Sequence, residues 1–182
     1  MKVKYFGELI NSNVILKKKK NPYWRVLLAE GFGEEKNDCI ILSPVEALWL
    51  CDRGQLIVEK DNKKLSYDAL VRYFLSKDPQ LWSKYFTYHV LRNAGYVAKP
   101  IQGVFSFLLY KKGENPQSSK PFAKIIVFES LREVDINLLE TALSQKGDSE
   151  VIVAVVDEHG DVVFYRVEEV LRGEAMLKIR KS

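Results

Sequence analysis

Few side chains in this sequence could do acid–base or metal chemistry, and their spacing narrows the choice further. The chain has two histidines, His89 and His159, and two cysteines, Cys39 and Cys51. His89 falls in an aromatic helical stretch, where an imidazole usually packs instead of acting as a base. His159 stands beside three carboxylates in the turn Asp157-Glu158-His159-Gly160-Asp161, and reads as a local structural or interface group. The cysteines show neither a CxxC spacing nor a nearby histidine, so they read as buried thiols and not as a disulfide or zinc pair. A metal nuclease would need paired carboxylates and a lysine at strand ends, whereas the strands between 104 and 128 offer only Glu129. The sequence lacks GxGxxG after a strand, GxxxxGK[ST], HExxH and GxSxG, which removes support for nucleotide-loop, zinc-protease and serine-hydrolase chemistry. The expectation is a protein with no metal and no cofactor.

Charge is more informative than any single catalytic type. The formal net charge is +4 over 182 residues. Residues 84–128, however, carry 7 Lys+Arg against 1 Asp+Glu, a net of +6, and residues 129–174 carry 4 against 12, a net of −8. Residues 1–83 contribute +3 (14 against 11), and residues 175–182 another +3. Such asymmetry predicts an anionic partner for one surface and a basic partner for another. The run Lys17–Lys20 reads as a solvated basic turn, because four adjacent lysines cannot all face one ligand.

The elements that must position these groups follow from periodicity and punctuation. Lys2–Phe6, Asn13–Leu16 and Trp24–Ala29 read as short strands, with turn signals at Asn11-Ser12-Asn13 and Asn21-Pro22. Ser43-Pro44-Val45-Glu46 carries a capping box with Pro at the first helical position, and that helix ends at Gly54. Leu56–Val58 is a strand, Asp61-Asn62 a turn, and Ser66 caps a helix to about Leu75. Asp78-Pro79 opens a longer helix with Leu81, Tyr85, Tyr88 and Leu91 on one stripe, widened by Trp82, Phe86 and Val90, and closed by Gly95.

Beyond Gly95, Tyr96–Lys99, Val104–Tyr110 and Phe122–Phe128 are strand-like, with a polar loop over 111–121. Asp135 caps a helix to about Leu143, Val151–Val156 is a buried strand, and Val162–Val167 follows the acidic turn. Met176, Leu177 and Ile179 alternate as a last edge strand. The fold class is therefore α+β, with a small mixed α/β domain over 1–80 and a second domain over 81–182. With 47% hydrophobic residues and no run of 18 apolar residues, the chain is expected to be a soluble globular protein and not a disordered or membrane-spanning one. The N-terminal segment lacks the apolar block of a signal peptide, which predicts a cytoplasmic location.

The run Tyr88-His89-Val90-Leu91-Arg92-Asn93-Ala94-Gly95-Tyr96-Val97-Ala98-Lys99 resembles the Y-x-x-L-R-x-x-G-Y-x-x-K block of archaeal tRNA-splicing endonucleases. Leu42–Leu48 followed by Arg53-Gly54 resembles that family's N-terminal domain. Val153–Val162 resembles its C-terminal strand, acidic turn and next strand, so the resemblance runs in order over about residues 40–167. It implies a second domain with a restriction-endonuclease-like mixed sheet flanked by helices. The implied activity is metal-independent cleavage of precursor tRNA at a bulge-helix-bulge, leaving a 2′,3′-cyclic phosphate. That chemistry needs a base, an acid and a cation, which the family is understood to supply as Tyr, His and Lys.

Matched residue by residue, Phe107-Leu108-Leu109-Tyr110 puts Tyr110 at the tyrosine position. Ser119-Lys120-Pro121-Phe122 puts Ser119 where the histidine is expected, and Lys146–Glu150 puts Ser149, or its neighbour Glu150, at the lysine position. Neither a serine hydroxyl nor a carboxylate replaces an imidazole or a cation. Asp157, Glu158 and Asp161 match a turn that, in the family, inserts into a basic cleft of another subunit. The resemblance thus implies a non-catalytic structural subunit paired with a catalytic homologue, two plus two, with Arg92, Lys99, Lys111 and Lys112 meeting the phosphates of precursor tRNA. Two alternatives stay open: an active homo-oligomer that uses Lys124 or Lys146, and a stand-alone RNA-binding module on the same fold.

Overall fold

Alternation along Tyr5-Phe6-Gly7-Glu8-Leu9-Ile10 buries every second residue and exposes the others, which makes the segment a half-covered strand. It is β1 (Tyr5–Ile10) in a computed structural model that describes residues 4–130, 135–169 and 178–181. The sequence places this strand at 2–6. Gly7 is the reason for the shift: it breaks the apparent strand pattern, yet no side chain fits there, since a Cβ would lie 2.4 Å from Val14 Cγ1.

The chain divides into two compact units, Met1–Tyr85 and Phe86–Ser182. In the first, β2 (Asn13–Lys17), β3 (Glu34–Lys36), β4 (Cys39–Leu42), β5 (Leu56–Lys60) and β6 (Lys63–Lys64) join β1 in a sheet ordered β3-β4-β2-β1-β5-β6. Only the β1–β5 pair is parallel. The helices are α1 (Trp24–Ala29), α2 (Pro44–Asp52) and α3 (Tyr67–Leu75).

The strand expected over Trp24–Ala29 is a helix. A six-residue apolar run has no decisive period. Here the adjacent Leu27 and Leu28 are both buried, which a helix edge permits and strand alternation does not. The expected capping box of α2 is present: Ser43 Oγ accepts from Glu46 N, and the Glu46 carboxylate accepts from Ser43 N at 2.9 Å. Glu46 is only 2% exposed and also accepts from Gly33 N at 2.9 Å, so this buried carboxylate holds a loop to a helix. Both cysteines are half-buried and free.

Helix α4 (Leu81–Asn93) spans the division between the units. It starts three residues later than Asp78, whose carboxylate accepts from Gln80 N at 3.0 Å ahead of the first turn. Leu81, Tyr85, Tyr88 and Leu91 are buried as the spacing predicts, whereas Phe86 and Val90, expected to widen the stripe, lie exposed.

The second unit holds a six-stranded sheet ordered β12-β11-β10-β9-β8-β7. Its strands are β7 (Val97–Pro100), β8 (Phe107–Tyr110), β9 (Ala123–Glu129), β10 (Glu150–Val156), β11 (Val162–Glu169) and β12 (Lys178–Lys181). All neighbours are antiparallel except β9 and β10, which α5 (Ile136–Ser144) connects as a crossover. Asp135 caps α5 by accepting from Asn137 N and Leu138 N. Of the expected tail strand, Ile179 lies in β12, and Met176 and Leu177 lie outside the described residues.

Both faces of this sheet are covered. On one, α5 packs Leu139 and Ala142 against Ile126, Phe128, Val151 and Val153. On the other, Tyr88 of α4 lies 5.9 Å from Phe107, ring centroid to ring centroid. The mixed α+β class read from the sequence is the observed one.

Candidate functional site

Register brings the segments that carry Tyr110, Ser119 and Ser149 to one end of the C-terminal sheet. Leu109 pairs with Ala123 and Ala123 with Glu150, so the end of β8 and the starts of β9 and β10 meet there. Backbone bonds continue the ladder past the strands, from Phe122 N to Leu109 O at 3.0 Å and from Glu150 N to Phe122 O at 2.9 Å. Tyr110, Ser119 and Ser149 therefore sit on neighbouring segments, although 39 residues separate the first from the last.

Their chemistry differs from their placement. Tyr110 is 4% exposed, and burial pushes its phenol above the ordinary tyrosine range. The phenol keeps its proton at neutral pH, as an ordinary tyrosine does, and burial reinforces this. Ser119 is half-buried in a tight turn, with its N–H donating to Asn115 O at 2.9 Å. Ser149 is buried, and its hydroxyl donates to Pro121 O at 2.8 Å, tying the 146–149 loop to the 119–121 loop. Glu150, half-buried, pairs with Arg166 at 3.3 Å.

Two lysines near this end have structural partners. Lys124 Nζ donates to Gln145 O at the C-cap of α5, at 2.7 Å, and lies 5.2 Å from the Phe105 ring. Lys120 pairs with Asp148 at 3.8 Å, with both side chains nearly fully in solvent. Lys146 is half-buried.

Lys111 and Lys112 follow Tyr110 directly and are exposed at the same end. The Lys112 stem runs past Gly95, where a Cβ would meet its Cδ at 3.3 Å. Arg92 lies on the last turn of α4 with its guanidinium 6.0 Å from the Tyr88 ring. Lys99 lies on the edge strand β7 opposite Leu108, farther along the sheet. Three of the four cations expected to meet phosphate thus lie near one sheet end, and Lys99 lies deeper along it.

At the opposite end of β10, the acidic turn is built by one of its own carboxylates. Asp157 Oδ1 accepts from His159 N and from Asp161 N, each at 2.9 Å. Gly160 takes φ +86°, and its α-carbon lies against the Phe86 ring: a Cβ there would be 3.0 Å from Cζ. Phe86, expected to widen the buried stripe of α4 but exposed, is the seat of this turn. Glu158, His159 and Asp161 are exposed, with His159 Nε2 3.5 Å from Glu158 Oε1. Sequence reasoning missed two groups here: Phe86, and the hydroxyl of Ser149 as a clamp. Phe86 was read as part of the stripe, and nothing local in the sequence marks it as the seat of a turn 74 residues on.

Elsewhere among the described residues, no three His, Cys, Asp or Glu side chains are grouped so as to hold a metal ion, and no helix is long and apolar enough to cross a membrane. Cys51 is a poor nucleophile, since burial pushes its thiol up to about 12.

Two mixed-sheet units, running from an N-terminal capping-box helix to an acidic hairpin, define the class. Residues 5–71 match the tRNA intron endonuclease N-terminal domain, and residues 81–164 match the tRNA intron endonuclease catalytic C-terminal domain. The chain belongs to the tRNA intron endonuclease family. It is 34% identical over 139 residues to a tRNA-splicing endonuclease of Thermococcus onnurineus, covering 75% of this chain and 80% of the relative. It is 33% identical over 140 residues to that of Pyrococcus furiosus, covering 76% and 81%. With a tRNA-splicing endonuclease of Methanosarcina acetivorans it shares 30% identity over 139 residues, 75% of this chain. The chain matches only 39% of that relative's length.

Proposed function

We propose that this chain is the structural, non-catalytic subunit of a heteromeric tRNA-splicing endonuclease acting on precursor tRNA. The observation that carries the reading is the sheet end where Tyr110, Ser119 and Ser149 gather. The resemblance assigns a base, an acid and a cation to these positions. The chain supplies a buried phenol held protonated, a serine in a turn, and a serine whose hydroxyl is spent on Pro121 O. Without a titratable acid or a cation at those positions, a phosphorane would have neither a proton donor nor charge stabilisation.

The companion role is assembly. Glu158 and Asp161 point into solvent from a turn fixed by Asp157 and by Phe86, which favours docking into a basic cleft of a catalytic homologue. The cations Arg92, Lys99, Lys111 and Lys112 would then face precursor tRNA in the assembled enzyme, in the cytoplasm, with two copies of each subunit. The alternative in which Lys124 acts catalytically loses support from its bond to Gln145 O.

The test is cleavage of an intron-containing precursor tRNA by the purified chain alone and with a co-expressed catalytic homologue. Cleavage only in the mixed complex is expected. Site-specific cleavage by the chain alone would overturn the structural role, and failure to form any mixed complex would favour a stand-alone RNA-binding module.

A further inference from the structure

The N-terminal unit carries a feature that the assembly role leaves unused. Phe6 points from β1 away from the buried side of the sheet and keeps 45% of its surface exposed. Asn21, only 1% exposed, clamps this point: its side chain accepts from Phe6 N at 2.8 Å and donates to Phe6 O and to Lys17 O, both at 2.9 Å. The clamp ties the backbone at Phe6 to the start of the lysine run. Beside it opens a shallow groove of about 60 Å³ lined by Phe6, Ile15, Lys17, Lys20 and Asn62.

The objection that four adjacent lysines cannot face one ligand is met by a division of labour. Residues 18–20 form a 3-10 turn. Lys18 is turned aside: its Nζ bonds Glu35 Oε1 at 2.5 Å and Asn37 O at 2.6 Å, and lies 4.5 Å from the Trp24 ring. Lys17 and Lys20, both exposed, line the groove together with the Phe6 ring. Glu8 and Glu59 also line it, paired side by side across β1 and β5. These carboxylates repel phosphate, so a polyanion can be held only with its phosphates at the lysines and a base over the ring.

We infer that this groove binds single-stranded RNA, with an unpaired base stacked on Phe6 and the flanking phosphates on Lys17 and Lys20. An exposed aromatic ring beside a pair of cations is the arrangement that holds unstacked bases without reading their sequence. A duplex offers phosphates but no free base face. The inference rests on the reading of precursor tRNA as the substrate of the assembled enzyme, and it adds a contact on the unit remote in sequence from the cleavage positions.

The test is fluorescence anisotropy of the full-length chain with a labelled unstructured 12-nucleotide RNA and with an RNA duplex of equal length. Phe6→Ala is expected to weaken single-strand binding by about ten-fold, within the range of losing one base–aromatic stack. Lys17→Ala with Lys20→Ala should lower the salt slope by about 1.4, roughly 0.7 for each phosphate contact on a single strand. Lys60→Ala with Lys77→Ala removes the same charge from exposed sites over the Tyr73 ring, outside the groove lining, and should change affinity by less than two-fold.

Equal losses for the two lysine pairs, unchanged affinity for Phe6→Ala, or tighter binding of the duplex would each overturn the inference. A Phe6→Ala chain that loses assembly with the catalytic homologue yet keeps its RNA affinity would assign the groove to protein contact instead. Normal assembly and cleavage with no effect of either groove variant on RNA binding sinks the groove alone and leaves the proposed function standing.

Discussion

The two ends of β10 offer the clearest contrast in the molecule. At its start, polar groups turn inward: Ser149 is spent on Pro121 O, Tyr110 is buried, and Glu150 is paired with Arg166. At its finish, only Asp157 turns inward, and it does so to present its neighbours, since its one oxygen organises the turn from which Glu158 and Asp161 project. The strand between them is almost wholly buried and its register is fixed on both sides. The difference teaches that one end spends its polar groups on the chain itself and the other leaves carboxylates in solvent. The two ends share a strand of seven residues, so polar groups at one can be exchanged without touching the turn at the other.

The largest effect should come from breaking the outward end. Glu158→Lys with Asp161→Lys is expected to weaken association with a catalytic homologue by about a thousand-fold or more, since reversing paired interface charges costs several kcal/mol. Co-purification and its salt dependence check this, while an unchanged melting temperature of the chain alone would show that the turn itself survives. Asp157→Asn sharpens the comparison. An amide oxygen still accepts from His159 N and Asp161 N, so assembly should fall by less than ten-fold if Asp157 serves the turn more than the partner.

Next in size is the seat of the turn. Gly160→Ala must hold φ +86° with a Cβ 3.0 Å from the Phe86 ring. The expected cost is about 1–2 kcal/mol, read as a fall of roughly 2–8 °C in Tm for a chain of this size. Phe86→Ala with Gly160→Ala should recover part of the loss, because the clash goes and only the backbone strain remains. A double variant no more stable than the sum of the singles would remove Phe86 from the account of this turn.

What could be read from the sequence follows the range of each interaction. The α2 cap was legible because Ser43, Pro44 and Glu46 act within four residues of chain. The α1 segment was misread as a strand because Trp24–Ala29 is too short to show its period, and the burial of Leu27 beside Leu28 is decided by packing. The type of residue at positions 110, 119 and 149 was legible through resemblance. The bond from Ser149 to Pro121, the raised phenol of Tyr110 and the withdrawal of Lys124 to Gln145 O were not, since each depends on partners 21 or more residues away or on burial. Lys17–Lys20 shows the same limit: Lys18 is set apart from its neighbours only when Glu35 and Asn37 are brought alongside.

The smallest effects should come from the inward end, and they separate a structural role from a chemical one. Ser149→Ala removes one buried hydrogen bond and leaves Pro121 O without that donor, at an expected cost of about 1–2 kcal/mol in chemical denaturation. Activity of a mixed complex should be unchanged. Tyr110→Phe should be nearly neutral at pH 7, because the buried phenol is already protonated there. Its signature lies at alkaline pH. A phenol whose folded-state pKa is raised contributes stability that is present below the unfolded value and is lost as pH rises past about 10. Removing it should therefore flatten the decline in stability above that pH while leaving the neutral region unchanged. Tyr5, Tyr67 and Tyr85 are raised by burial as well, so the flattening is partial. If Tyr110→Phe instead abolished cleavage by the mixed complex at pH 7, the phenol would be a working base, and the contrast between the two ends of β10 would fail at its inward end.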